Sequence, residues 1–296
     1  MRVKCAGRRM MAYEIGGRAD KYGNRFETNW TIRKLLEVIE EKIESVTIEA
    51  IGDDEKGADL WITYKDGVRE SQQCKGRNGS HEYWDYGTIN SKNIWKTWAY
   101  QLEQSGSVIV SLVSPLNCTL LEDIGNRART NGQDPNIFYK EQILKSGTDT
   151  RRFFNNACVG LGLDINHEED IARALSFFSR IFMRQVTDGE MKNEILGKIS
   201  SLFMGNPETV YRIFIDYILN EDVYGKALDI SVLGSFLRTQ NIEYRNLAND
   251  NRIWPTVIRL NEEYGQVFKP FSCGFVEREE TEKCLELIRE GVSVVM

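Results

Sequence analysis

The stretch Asp59–Lys75, DLWITYKDGVRESQQCK, decides how this chain is read. DLWITY (59–64) is a strand-length run rich in β-branched and aromatic residues, VRESQQCK (68–75) reads as its partner strand, and KDG between them is turn chemistry. The two runs predict a β-hairpin, and two registers are open. A two-residue Asp66-Gly67 turn sets Asp59 opposite Cys74. A three-residue Lys65-Asp66-Gly67 loop, with Gly67 left-handed, sets Asp59 opposite Gln73. Gln73 and Lys75 are two apart and share a face, so only the second register gathers Asp59, Gln73 and Lys75 on one side.

That gathering has a chemical meaning. Metal-assisted phosphodiester cleavage needs oxygen ligands for a hard cation. It also needs a positive group to position water and offset charge on the phosphate. Asp59 and Gln73 offer the oxygens, and Lys75 offers the charge.

Outward from the hairpin, residues 23–44 carry Phe26, Trp30, Leu36, Ile39 and Ile43 at helical spacing and predict an amphipathic helix. Val46–Ile51 reads as a short strand, GDDEKGA as a polar loop, residues 90–104 as a second helix and Val108–Val113 as a buried strand. The order is α-β-β-β-α-β. After Pro115 the periodicity turns helical, near 119–130, 138–146, 150–160, 168–187, 189–204, 207–220, 230–239, 255–264 and 278–290.

The bulk properties narrow the function classes. With 41% hydrophobic and 28% charged residues the chain is an ordinary globular sequence. No apolar run approaches the ~18 residues of a membrane span. Six scattered cysteines, no CxxC pair and two histidines argue against a zinc site and for reduced thiols in a cytoplasmic setting. The net charge of -6 is uneven: residues 1–114 carry 17 basic and 17 acidic side chains, the remainder 21 and 27. The acidity lies outside the hairpin half, where a nucleic acid would bind.

GAD (57–59) followed by QCK (73–75) resembles the PD-(D/E)XK nuclease superfamily, in which an Asp at one strand end precedes (D/E/Q)xK on the next. Gln at the middle position is similar to the Mrr-like branch. So is a glutamate on the first helix, matched by Glu27, and the GG(x)5GxxFE opening formed by Gly16, Gly17, Gly23, Phe26 and Glu27 adds to the nuclease resemblance. Residues 110–124, the helical stretch to about 240 and the 254–271 segment resemble the linker that follows such a nuclease in bacterial antiviral STAND NTPases. The resemblance implies an α/β PD-(D/E)XK restriction-endonuclease-like core with a mixed sheet, followed by a mostly helical region.

It also implies the roles. Asp59, Gln73 and Lys75 are the catalytic set, and Asp59, Gln73 and Glu27 hold Mg2+ or Mn2+. Glu49, Asp53 and Asp54 lie just before the hairpin and are additional metal candidates. Arg25, Arg77, Lys92 and Lys96 flank the site as candidates for DNA phosphates. The expected substrate is double-stranded DNA, cut by self-associating copies in a bacterial cytoplasm, with no membrane partner. By segment, the expectations are a disordered leader at 1–15, the nuclease at 16–160, a helical linker at 161–277, and at 278–296 the start of a P-loop NTPase domain. That last domain is where ATP and a phage protein trigger would act, since a helix, Gly291 and the apolar VSVVM resemble the lead-in to a phosphate-binding loop. Two other readings stay open: a stand-alone Mrr-type restriction endonuclease, and a degenerate nuclease fold used for assembly. Trp95, Trp98 and Cys74 read as core, and His81 has no partner that would give it chemistry.

Overall fold

The computed structural model describes residues 16–77, 79, 81–130, 134–245 and 259. The leader and the 278–296 segment lie outside the described residues, as does 255–264 apart from Arg259.

The hairpin closes around three residues. Tyr64 donates its N–H to the Val68 carbonyl (2.9 Å), and Gly67 takes the left-handed φ of 84° that a side chain resists. Strand β2 (Leu60–Thr63) and strand β3 (Arg69–Cys74) then pair antiparallel with Leu60 opposite Gln72, so Asp59 stands opposite Gln73. Strand β1 (Ser45–Ile48) lies antiparallel to β2, and β4 (Val108–Ser114) lies parallel to β3.

Alternation along these strands feeds two cores. Trp61, Val110 and Leu112 pack under α2 (Tyr86–Ser91), α3 (Ile94–Gln104), α4 (Thr119–Thr130), α6 (Thr148–Gly160) and α7 (Glu168–Arg180). Between α4 and α6 runs a short turn of helix, α5 (Pro135–Ile137), continued as a π turn. Val46, Ile48, Leu60, Ile62, Cys74 and Val113 face the other way. They meet α1 (Gly16–Ile39), α8 (Asp188–Leu202), α9 (Pro207–Ile218) and α10 (Ile230–Thr239).

The second half, expected to be mostly helical, also contributes two strands to the sheet. Ile181–Gln185 is a strand, β5, parallel to β4, and Ala227–Asp229 is a strand, β6, antiparallel to β1. The full order is β5-β4-β3-β2-β1-β6, a mixed six-stranded sheet in an α/β fold. IFMRQ continues the apolar run of α7 and so reads as more helix, but it has an open sheet edge beside β4 to pair with. The helix expected over 90–104 divides into α2 and α3 at Asn93, whose φ of 57° only a few residue types tolerate.

β5 is fastened by a buried carboxylate. Glu70 on β3 is fully buried and takes two hydrogen bonds from Arg184 on β5, at 2.6 and 2.7 Å, while the Tyr64 and Ser111 hydroxyls also donate to it. Burial alone would raise the Glu70 carboxyl. The Arg184 bonds and charge, with Ser111 and Tyr64, overcome it and hold the group below its usual range.

Arg184→Met should therefore lower stability by about 3 kcal/mol in urea unfolding at neutral pH. That is the low end for a broken buried pair, because the Arg184 side chain is 34% exposed. A depressed carboxyl adds stability above its unfolded pKa and loses it as pH falls through the folded value. The gap to wild type should thus close below about pH 4. A gap that stays constant down to pH 3 would mean the lost stability is packing, not charge.

Candidate active site

The site sits where β2 begins and β3 ends. Asp59 is placed by the turn before it: Gly57, at φ 69°, lies so close to α3 that a Cβ would meet the Thr97 methyl at 2.3 Å, and Gln101 donates to the Lys56 carbonyl at 2.8 Å. The Asp59 carboxylate accepts the Cys74 backbone N–H at 2.6 Å and lies 3.4 Å from Lys75 Nζ. Lys75 also donates to the Cys74 carbonyl at 3.0 Å. Gln73, opposite Asp59, has a buried Oε1 that accepts no hydrogen bond.

Two further carboxylates converge here. Glu27 comes from α1, and the Trp30 indole one turn later donates to Gln72 Oε1 at 2.7 Å, which ties that part of the helix to β3. Burial first, then the charges of Asp59 and Glu49, push the Glu27 carboxyl up to about 7, against the pull of Lys75. Glu49 directly follows β1 in a left-handed conformation, φ 44°, a strained geometry for a non-glycine residue, with its N–H donating to the Asp59 carbonyl at 3.1 Å. Partial burial and the Asp59 charge raise its carboxyl, Lys75 again opposing.

Asp59, Lys75, Glu27 and Glu49 are thus electrostatically one cluster, with Gln73 across from Asp59. Asp54 is not part of it: its carboxylate is bonded by Arg69 at 2.6 Å, near the opposite end of β3. The Asp53 side chain lies outside what the structure describes; its backbone is in the 3-10 turn Gly52–Glu55. Arg25 is drawn to Asp188 of α8 at 2.6 Å. Arg77 is exposed just past Lys75, Lys92 lies 5.9 Å from the Trp84 ring centre, and Lys96 is exposed on α3 near Gly57. Among the described residues, no three His, Cys, Asp or Glu side chains form a ready-made metal cage. Also among them, no helix is long and apolar enough to cross a membrane.

The sequence reading missed the Trp30–Gln72 bond. The Gln72-Gln73 doublet and a tryptophan three residues past Glu27 were its only trace.

No family model matches the chain, and no curated protein does. Among solved structures it is similar to the Moraxella osloensis Cap4 SAVED/CARF-domain containing receptor, at 13% identity and a TM-score of 0.42, over 73% of this chain and 48% of that one. The chain therefore spans about half the length of that receptor.

The raised Glu27 carboxyl predicts a pH signature. In EDTA, both folded and unfolded chains are protonated at Glu27 below pH 4.5. Between pH 4.5 and about 7 the unfolded chain ionises first, so the folded state loses stability as pH rises. Glu27→Gln lacks this loss. Its melting temperature relative to wild type should climb through that window and level off above it; a difference independent of pH would show that Glu27 titrates normally.

Proposed function

We propose that this chain is a metal-dependent nuclease of the PD-(D/E)XK type, in its Mrr-like branch, hydrolysing phosphodiester bonds in double-stranded DNA. One observation carries the reading: the Asp59 carboxylate lies 3.4 Å from the Lys75 ammonium at the end of a hairpin, and Glu27 and Glu49 are near enough to feel both charges. Burial first, and then the negative charges of Asp59 and Glu49, hold Glu27 up to about 7, and a divalent cation would offset that charge. The Gln73 Oε1, buried without a partner, adds a neutral oxygen. An all-oxygen donor set suits Mg2+ or Mn2+. Asp59, Glu27 and Gln73 are the residues that would hold the ion, with Glu49 beside them. When bound, such an ion supplies a Lewis acid for the phosphate and a more acidic water.

The chain's own residues do the rest. Lys75 brings a fixed positive charge to the place where negative charge grows on the phosphate. The Cys74 N–H and the Gly57–Thr97 packing hold Asp59 in place. The likeness of residues 110–124, the helical stretch to about 240 and the 254–271 segment to the linker of antiviral STAND NTPases extends the proposal to an antiphage effector in a bacterial cytoplasm, with two copies pairing to cut both strands. A second reading, an inactive nuclease fold used for assembly, draws on the lack of a ready-made three-carboxylate cage among the described residues.

Plasmid cleavage at high protein concentration separates the two. The full chain should nick or linearise DNA in Mg2+ and stop in EDTA. Lys75→Ala should cut about 100-fold more slowly or worse with an unchanged melting temperature, and Asp59→Asn should lose activity while keeping an acceptor for the Cys74 N–H. Wild-type cutting by Lys75→Ala overturns the nuclease assignment, and an inert wild-type chain favours assembly.

A further inference from the structure

Several basic side chains on the α3 side of the sheet are engaged: Arg69 by Asp54, Arg173 by Glu103 and Asp170, Arg180 by the Leu102, Ser105 and Val108 carbonyls. Lys56 and Lys96 differ. Neither forms an ion pair with any described residue. The Lys56 ammonium instead lies 4.0 Å from the ring centre of Tyr100, which orders the side chain without neutralising it.

These lysines share a surface. Lys56, Asn93, Lys96 and Tyr100 wall an open hollow of about 310 Å3 beside Gly57. Asn93 and Lys96 also wall a second hollow of about 460 Å3, which reaches Gly160 and Gly162. No carboxylate lines either one. The two make an open trough with a positive, hydrogen-bonding wall and a tyrosine, suited to an extended anionic chain rather than an enclosed small molecule. Its position is fixed relative to the carboxylate cluster, because Gly57 is wedged against Thr97 of α3 and Asp59 follows two residues later.

We propose that this trough carries the sugar–phosphate backbone of the DNA strand leading into the Asp59 site, with Lys56 and Lys96 each meeting a phosphate. This rests on the nuclease reading and adds the path of its substrate. Lys56 was not among the basic residues that the sequence nominated, whereas Arg25, which was, is held by Asp188.

The test is fluorescence anisotropy with a labelled DNA duplex and the full-length protein in EDTA, where binding is read without cleavage. Lys56→Ala/Lys96→Ala should weaken binding about tenfold or more and lower the slope of log K against log salt by roughly 2, since two phosphate contacts go. Lys140→Ala/Lys226→Ala removes the same charge from exposed lysines elsewhere and should leave the slope near wild type. Circular dichroism confirms that both variants fold. If the two double variants lose affinity equally, or the first binds as wild type does, the trough is not the path. If the wild-type chain binds no DNA, the trough and the nuclease reading fall together; if it binds normally and only the Lys56/Lys96 variant is indifferent, the trough alone fails.

Discussion

Side chains on a strand alternate between its two faces, so a hairpin that slips by one residue exchanges its faces completely. In this protein the three-residue loop ending at left-handed Gly67 settles that choice. It sends Leu60, Ile62 and Cys74 into the core under α1 and sends Trp61 into the core under α3. It also puts Gln73 across from Asp59 at the end of the pair. The slipped register would either turn Asp59 toward α1 or turn Glu70 away from Arg184, and either leaves a charge without its partner. The sheet, the buried ion pair and the carboxylate cluster all rest on one turn.

The cluster illustrates how far a fold can hold like charges together. Glu27, Glu49 and Asp59 come from a helix, a strand end and a hairpin, none of which could relax away without undoing core packing. The molecule answers in three ways. Lys75 sits at one side, the Cys74 amide binds Asp59, and Glu27 keeps its proton to near neutrality. Strain at Glu49 belongs to the same pattern, since sparsely populated backbone conformations persist only where the surroundings impose them.

What the sequence disclosed depended on range. The hairpin and α9 and α10 were legible because their signals are local: turn residues, period-two alternation, and Asn206-Pro207 and Asp229 at helix starts. β5 was hidden because Ile181–Gln185 has no local mark that separates it from the end of α7; its partner is β4, some seventy residues earlier. β6 is three residues long, too short for any pattern. At the site, turn chemistry left two registers open, and the structure adopts the one with the three-residue loop. The capture of Asp54 by Arg69 and of Arg25 by Asp188 was not legible, because ion pairing between distant segments leaves no periodic trace.

Asn29 is nearly fully buried, and its amide is shared between two later helices: it donates to Asp188 of α8 at 2.9 Å and accepts the Tyr211 hydroxyl of α9 at 2.5 Å. It lies two residues from Glu27 on α1. With β5 and β6 also drawn from the second half, a cut at residue 160 would take away both edge strands and the outer cover of α1 together. For recombination between genes, the smallest cassette that could be transplanted with its carboxylate cluster intact is therefore not the α-β-β-β-α-β stretch alone. It extends through α9 to β6, and a graft shorter than that would arrive with the helix bearing Glu27 exposed on one side.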